Sequence, residues 1–248
     1  MAATTPITSA IFGATGLVGA HIVTSLLTLD TYGTVHTITR RAPQQSSDAA
    51  LAKKLDAIVE PDTQQWVPKL NELFTGADSQ TAPTTVFSAL GTTRLAAGGI
   101  ANQWKIDHDL NVEIARAAKA AGVKTFIFVS STGTRSLFSR YLPYSKMKNG
   151  VEDTIKELGF DQAIIVQPGL ILGDREVEHQ GAGLFKALAK ATGSVSQGLH
   201  DSLAQDAEVI ARAAAHATLL ASQGKAPSKY WIVGPQAIIK LGRDEWKF

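Results

Sequence analysis

A tyrosine and a lysine one helical turn apart are the residues best suited to chemistry in this chain. Tyr144 and Lys148 stand at positions i and i+4 of a segment with helical character, so their side chains share one face. A phenol has an ordinary pKa of about 10, and a nearby ammonium group lowers that value by favouring the phenolate. Such a pair predicts proton exchange with a carbonyl or alcohol oxygen near neutral pH.

A pair of serines ends the fifth predicted strand, upstream of the tyrosine. Ser131 precedes Tyr144 by 13 residues, and Ser130 is adjacent to it. Ligands of open α/β sheets bind at the carboxyl ends of the strands, where these hydroxyl groups are expected. We predict that Ser131 orients a carbonyl oxygen while Tyr144 supplies the proton, with Ser130 as the alternative serine.

Three glycines with regular spacing follow the first predicted strand and precede a helix. The segment reads GATGLVG, with glycine at positions 13, 16 and 19. In such a turn the first glycine permits the tight bend, the second admits a pyrophosphate, and the third lets helix and strand pack closely. The free N–H groups of the helix N-terminus attract the phosphates. The segment therefore predicts a dinucleotide site, with an ordinary strand–helix turn as the alternative.

The end of the second predicted strand indicates which dinucleotide is bound. An NAD site places Asp or Glu here, on the ribose 2′-hydroxyl. This chain has Arg40 and Arg41 instead, and no acid. Guanidinium groups bind phosphate through two parallel hydrogen bonds. The pair favours NADP(H), and two solvated loop arginines are the alternative.

The elements that must position these residues alternate between strand and helix patterns, which predicts a mostly parallel sheet with helices on both faces. The predicted strands are Ile7–Phe12, Val35–Thr39, Asp56–Val59, Thr85–Ala89, Lys124–Ser130, Gln162–Gln167 and Tyr230–Val233. The predicted helices are Leu17–Leu29, Trp104–Ala121, Tyr144–Leu158, Gly183–Ala191 and Leu203–Ala221. We predict a doubly wound α/β fold of Rossmann type, as one domain over residues 1–248 with a small substrate cap mainly within 176–248.

Composition excludes several other classes of protein. The 248 residues contain no cysteine, which excludes disulfide scaffolds, cysteine-based metal sites and thiol nucleophiles. A net charge of +2 and scattered basic residues do not support nucleic-acid binding. The six histidines have no ligand spacing, so no metal site is predicted. Asp107 and Asp109, at i and i+2 of a predicted helix, do not share a face and predict no paired-carboxylate site.

The chain also lacks the patterns of membrane-spanning and exported proteins. No apolar run approaches the ~20 residues that span a bilayer. The first ten residues have neither the basic nor the apolar region of a secretory signal. We therefore expect no transmembrane segment, while peripheral attachment to a membrane stays open.

The glycine turn, Ser131 and the Tyr144–Lys148 pair together resemble the short-chain dehydrogenase/reductase superfamily. The glycine spacing is similar to that of its extended and atypical branches. The stretches SALGTTR, KIDHDLN and QPGLILGDR resemble more narrowly an atypical subgroup of Tat-interacting-protein-like oxidoreductases and a fungal mitochondrial-proteome protein. The resemblance covers about residues 7–173.

The resemblance implies a role for each matching residue. It assigns catalysis to Ser131, Tyr144 and Lys148, and a proton-relay water to Asn111, whose alternative is an ordinary polar helix residue. The implied cofactor-binding residues are Gly13, Thr15, Gly16, Leu17, Val18, Gly19, Arg40, Arg41, Ala89, Leu90, Gly91, Lys148, Pro168 and Gly169. The Asn-Asn-Ala-Gly sequence that many relatives carry after the fourth strand is replaced here by ALGTT, so cofactor binding is better supported than turnover.

Two functions from different classes follow from this reading. The first is an NADP(H)-dependent oxidoreductase that reduces a small carbonyl compound or oxidises the matching alcohol. The second is an NADP(H)-binding sensor or scaffold with little or no catalysis, which acts on a protein partner. The resemblance implies a location in the cytoplasm or peripherally on the mitochondrial outer membrane.

Overall fold

The computed structural model describes residues 6–75, 81–173 and 203–247. Its strands in those ranges are β1 (Ile7–Phe12), β2 (Tyr32–Thr39), β3 (Leu55–Val59), β4 (Thr85–Ser88), β5 (Thr125–Val129), β6 (Gln162–Val166), β7 (Leu170–Leu172), β8 (Ala204–Asp206) and β9 (Tyr230–Val233). Seven of these form one sheet in the order β3-β2-β1-β4-β5-β6-β9, and every pairing in it is parallel. The short strands β7 and β8 pair separately, also in parallel.

Helices connect the strands. The α-helices of the described ranges are α1 (Leu17–Thr28), α2 (Ala49–Ala52), α3 (Trp66–Glu72), α4 (Ile100–Trp104), α5 (Asn111–Ala120), α6 (Pro143–Leu158), α7 (Ala207–Ser222) and α8 (Pro235–Ile239). A π-helical segment, Lys105–Leu110, joins α4 to α5, and a second one, Lys240–Asp244, follows α8.

Two apolar cores cover the two faces of the sheet. On one face, Ile11 and Phe87 pack with residues of α1 and α7. On the other face, Phe12 and Phe126 pack with α3, α5 and α6. Neighbouring residues such as Ile11 and Phe12 lie in different cores, because successive side chains of a strand point to opposite faces. A parallel sheet buried on both faces is the arrangement that the strand–helix alternation predicts.

The strand order creates a crevice at the carboxyl edge of the sheet. The chain runs from β1 outward to β2 and β3, and then returns to β4 on the other side of β1. Connections from β1 and β4 leave in opposite directions, so a groove opens between them, where open α/β folds bind their ligands. The predicted doubly wound Rossmann-type fold is confirmed.

Several elements differ from the prediction. The helix predicted over Trp104–Ala121 begins at Ile100 and contains the π-helical segment. The helix predicted from Leu203 begins at Ala207, because Ala204–Asp206 pairs with Leu170–Leu172 as a strand.

The structure describes only part of the range 176–248 that was predicted to form the cap. The helix predicted over 183–191 and the cap residues 176–202 lie outside the described residues. Residues 203–247 instead contribute α7, which packs against α1, and β9, which ends the main sheet. In the described parts of the chain, no helix has both the length and the apolar character that crossing a bilayer requires.

Candidate active site

The glycine turn lies between β1 and α1, at the start of the crevice. Gly13 has φ +81°, a conformation that L side chains rarely adopt, and a Cβ there would lie 2.7 Å from the carbonyl carbon of Ala89. A Cβ on Gly19 would overlap the carbonyl oxygen of Gly13. The amide of Gly16 donates to that same oxygen at 2.9 Å. Glycine is therefore required at the first and third positions for the turn to close against β4.

A cleft of about 1110 Å³ runs along this turn and over the ends of β1, β2, β4 and β5. Ligand pockets in proteins usually have volumes of about 300–1,000 Å³, so the cleft has room for a large ligand such as a dinucleotide. Predicted site residues that line it are Thr15, Gly16, Leu17, Val18, Arg40, Arg41, Ala89, Leu90, Gly91, Tyr144 and Lys148.

Arg40 and Arg41 lie at one end of this cleft, directly after β2, and both are exposed. The Arg41 guanidinium donates to the carbonyl oxygen of Thr15 in the glycine turn, at 3.4 Å. The hydroxyl of Thr39 in turn donates to the carbonyl oxygen of Arg41 at 2.7 Å. These contacts hold the arginine loop beside the turn, with positive charge available to an anionic group in the cleft.

Tyr144 and Lys148 lie on the first turns of α6 and face the cleft together. Pro143 occupies the first position of this helix, where its missing N–H costs nothing, and Gly159 ends it in a left-handed conformation. Tyr144 is 40% exposed, whereas Lys148 is only 4% exposed. The phenol is therefore accessible to a bound molecule, while the lysine lies beneath it.

The two serines at the end of β5 have different partners. The side chain of Ser131 lies close enough to Tyr144 to lower the pKa of its hydroxyl. Ser130 is buried and donates to the carboxylate of Glu152 on α6, at 2.5 Å. Ser131 therefore acts on the tyrosine, whereas Ser130 also lines the cleft but is engaged by Glu152.

The pKa of Tyr144 lies above its ordinary value. Burial raises it most, the hydrogen bond with Ser131 opposes that rise, and the negative charge of Asp107 raises it further. The expectation that Lys148 lowers the pKa of this tyrosine is wrong for this structure. The lysine Nζ instead donates to the carbonyl oxygen of Val129 at 3.0 Å and lies 4.7 Å from the centre of the Phe128 ring. A tyrosine of this kind keeps its proton at neutral pH, but its raised pKa makes it a weaker proton donor than an unperturbed phenol.

The pKa of Lys148 lies below its ordinary value. Burial lowers it, and the negative charges of Asp107 and Glu152 oppose that fall. A Cβ on Gly91 would lie 3.9 Å from the lysine Nζ, so the loop after β4 passes directly over it. Lys148 is thus held between the ends of β4 and β5, on the floor of the cleft.

Asn111 lies behind the site. It is fully buried, its side-chain oxygen accepts from Ser88 at 2.5 Å, and its amide donates to the carbonyl oxygens of Ile106 and Asp107 at 3.0 and 3.3 Å. These contacts tie the start of α5 to the end of β4. The relay role of Asn111 stays a prediction.

Pro168 and Gly169 follow β6, on the far side of the catalytic group. The Pro168 carbonyl accepts from the amide of Thr132 at 2.8 Å, which ties this turn to the residue after Ser131. The Gly169 amide donates to the side chain of Gln205 at 2.7 Å. Arg175, a further loop residue of the sequence match, lies outside the described residues.

Two buried acids were missed by the sequence reasoning. Asp107 lines the cleft and Glu152 lies one helical turn after Lys148, yet both are at most 1% exposed. Their only sequence signal is position, since Asp107 precedes Asn111 by four residues and Glu152 follows Lys148 by four. Residues with this spacing share a helix face, so each acid lies on a face already assigned to the site.

Comparison with known proteins agrees with this geometry. A family model described as NAD(P)H-binding matches residues 13–198. The chain is 53% identical to "Protein fmp-52, mitochondrial" of Neurospora crassa over the full length of both chains. It is 54% identical to "Protein FMP52, mitochondrial" of Chaetomium globosum, over 96% of this chain and 97% of that protein.

Solved structures share the fold at low sequence identity. The UDP-glucuronic acid 4-epimerase of Bacillus cereus, in complex with NAD, superposes with a TM-score of 0.63 at 15% identity, over 92% of this chain and 76% of that chain. The Bordetella bronchiseptica enzyme WbmH, in complex with NAD, gives 0.61 at 14% identity, over 91% and 74%. The chain therefore belongs to the NAD(P)H-binding family of short-chain dehydrogenase/reductase fold and, within it, to the atypical FMP52 group.

Proposed function

We propose that this protein is an NADP(H)-dependent oxidoreductase that interconverts a small carbonyl compound and its alcohol. The observation that carries the proposal is the order of residues along one cleft. The glycine turn follows β1 and Arg40–Arg41 follow β2, whereas Lys148 bonds to the end of β5, so the strand order separates the two groups along the cleft. A dinucleotide binds across the crevice at this edge of an open α/β sheet, so this cleft suits one extended cofactor.

The binding residues suit a nucleotide with a 2′-phosphate. The backbone of the glycine turn and the N-terminus of α1 would hold the pyrophosphate. Arg40 and Arg41 would hold the 2′-phosphate, since no acid stands at the end of β2 to accept from a ribose hydroxyl. Residues Ala89–Gly91 would lie beside the adenosine, and Pro168 and Gly169 beside the nicotinamide.

The catalytic residues suit proton delivery. When bound, the nicotinamide supplies the hydride for carbonyl reduction, or accepts it in the reverse direction. Ser131 orients the carbonyl oxygen through a hydrogen bond. Tyr144, which is protonated at neutral pH, donates its hydroxyl proton to that oxygen. Lys148 lies beneath both groups and places a positive charge near the oxygen as negative charge develops there.

The binding part of the proposal is tested by fluorescence titration with NADPH and with NADH. We expect tighter binding of NADPH, and we expect an Arg40→Ala/Arg41→Ala variant to lose about tenfold or more of that affinity, because charge-assisted hydrogen bonds to the phosphate are removed. Arg116→Ala, which removes an exposed arginine from α5, is the matched control and should bind normally. Failure to bind either nucleotide would reject the oxidoreductase proposal.

The catalytic part is tested by Tyr144→Phe on a panel of aldehydes and ketones with NADPH. We expect turnover to fall about a hundredfold or more, with an unchanged Kd for NADPH, because only the proton donor is lost. Tyr141→Phe is the control, because Tyr141 is exposed and its hydroxyl accepts a hydrogen bond from Arg140. Undiminished turnover in Tyr144→Phe would exclude the acid role. Tight NADPH binding without turnover on any substrate would favour the sensor or scaffold function.

We further propose that the protein acts at mitochondria, because two relatives that are 53% and 54% identical to it are named mitochondrial. Fractionation of cells that express the tagged full-length chain tests this location. Recovery in the cytosol alone would contradict it, and release from the membrane fraction by salt would indicate peripheral attachment.

A further inference from the structure

Asp107 is a carboxylate enclosed at the floor of the cleft, with no exposure to solvent. It lies on the π-helical segment between α4 and α5, a helix type that occurs frequently at functional sites. One of its oxygens accepts from the backbone amide of Thr92 at 2.7 Å, and the other accepts from the side-chain amide of Gln103 at 3.2 Å. Burial of a carboxylate is costly unless a cation lies near it.

Lys148 lines the same cleft, and its charge acts on Asp107 without a direct salt bridge between the two side chains. Burial raises the pKa of the Asp107 carboxyl and lowers the pKa of the Lys148 ammonium, and the opposite charges of the two groups partly offset both shifts. Thr92, which Asp107 holds, follows the glycine that passes over the lysine Nζ. The carboxylate and the ammonium thus lie under the same loop.

Glu152 is the other acid that faces Lys148, from the next turn of α6. Its carboxylate is already engaged by the guanidinium of Arg135 at 3.2 Å and by the hydroxyl of Ser130 at 2.5 Å. Asp107 and Glu152 both favour the ammonium form of Lys148, and of these two described acids Asp107 is the one without a salt bridge to another cation.

Asp107 acts on Tyr144 as well. Burial raises the pKa of the phenol most, Ser131 lowers it, and the negative charge of Asp107 raises it further by disfavouring the phenolate. One carboxylate therefore acts in the same direction on both members of the pair, because it favours the protonated tyrosine and the protonated lysine.

We propose that Asp107 is the counter-ion of Lys148 and a positioning residue for proton donation by Tyr144. It acts through these two side chains and through the loop that Thr92 and Gly91 form over the lysine. The kinetic part of this inference rests on the proposed function. The electrostatic part concerns the ligand-free protein and is tested without any substrate.

The first test measures the ionisation of Tyr144 in the ligand-free protein. Tyrosinate absorbance is recorded against pH, and the Tyr144 signal is the difference between each protein and the same protein with Tyr144→Phe. In Asp107→Asn the phenolate should form at lower pH than in the parent, because the negative charge that disfavours it is gone. Asp109→Asn is the control, since Asp109 is half-exposed and pairs with His108. An unmoved Tyr144 titration in folded Asp107→Asn would overturn the proposal.

The second test is the pH profile of kcat/KM for NADPH-dependent carbonyl reduction. Asp107→Asn should move the alkaline limb to lower pH, since both Tyr144 and Lys148 then lose their protons sooner. On that limb we expect a loss of about tenfold, and a smaller loss at acidic pH. Asp107→Glu should restore part of the activity, because it restores the charge. An equal loss at every pH, or no rescue by glutamate, would indicate a merely structural role and overturn the proposal.

A third measurement keeps the inference testable if Asp107→Asn folds poorly. Lys148→Met removes the cation, and the double variant Asp107→Asn/Lys148→Met removes both charges with it. If the two buried charges stabilise each other, the double variant should be more stable to urea than the sum of the two single losses predicts. Additive losses would overturn the pairing.

These outcomes separate the inference from the proposed function. A shifted Tyr144 titration without turnover in the parent protein would reject the oxidoreductase function and keep the Asp107–Lys148 pair. Turnover that depends on Tyr144, together with an unmoved titration, would keep the function and reject the pair.

Discussion

Three side chains donate hydrogen bonds to one carboxylate behind the candidate site, that of Glu152. Ser130 donates to it at 2.5 Å, Gln167 at 2.9 Å and Arg135 at 3.2 Å. The acid thereby joins α6 to the ends of β5 and β6 and to the loop that follows Ser131. Its position next to Lys148 and Ser131 makes it a structural support of the residues that do the proposed chemistry.

We predict that Glu152→Gln lowers the free energy of unfolding by about 1–3 kcal/mol, because an amide keeps only one acceptor and removes the negative charge beside Arg135. Urea denaturation measures this change. Asp153→Asn is the matched control: Asp153 is the other partner of Arg135, at 2.7 Å, but it is exposed and should contribute less than about 1 kcal/mol. Equal effects of the two substitutions would contradict the role of Glu152 as a buried support.

The sequence predicts residues of the candidate site where a short motif specifies both residue type and position. The glycine turn, Arg40–Arg41 and the Tyr144–Lys148 pair all line one cleft. Asp107 and Glu152 escape prediction because an acid on an amphipathic helix usually faces solvent. Their burial depends on Thr92 and Ser130, which come from loops distant in sequence. The sequence also does not predict the raised pKa of Tyr144. That pKa depends on the folded chain, in which the Lys148 ammonium donates to the carbonyl oxygen of Val129.

At the scale of elements, helices and strands with strong periodicity are predictable, and those formed by long-range pairing are not. The strands β1 and β6 lie within one residue of their predicted bounds. By contrast, Ala204–Asp206 forms a strand only because Leu170–Leu172 lies beside it, more than thirty positions earlier in the chain. The sequence also does not distinguish the π-helical segment from an α-helix, because its apolar positions keep a helical spacing.

The turn that joins β1 to α1 carries the element-scale prediction. Gly19→Ala should lower the free energy of unfolding by about 1–3 kcal/mol, because its Cβ would overlap the Gly13 carbonyl and push α1 away from β1. NADPH affinity should fall with it, since the helix N-terminus moves. Gly234→Ala is the control: this glycine has φ −79° and an open surrounding, so both values should stay near those of the parent. Denaturation and titration of the two variants measure both effects, and normal binding in Gly19→Ala would contradict the close-packing role.

At the scale of the whole molecule, one sheet connects all the residues of the candidate site. The glycine turn follows β1, the arginine pair follows β2, and the catalytic group follows β5, so each is fixed by a strand of the same sheet. The two apolar cores lie on opposite faces of that sheet, and adjacent residues of each central strand belong to different cores. Loss of either core would expose the strands that form the other, and this coupling favours cooperative unfolding of the described parts.

We therefore predict that NADPH stabilises the whole chain in a single transition. At a free concentration of one hundred times Kd, a ligand that binds only the native state adds about 2.7 kcal/mol. For a domain of this size that corresponds to a Tm increase of roughly 5–10 °C, measured by calorimetry. NADH at the same concentration should give a smaller increase, and Arg40→Ala/Arg41→Ala should remove the difference between the two nucleotides. Two transitions, of which only one responds to NADPH, would contradict the single-domain prediction, because the site and the remaining chain would then unfold independently.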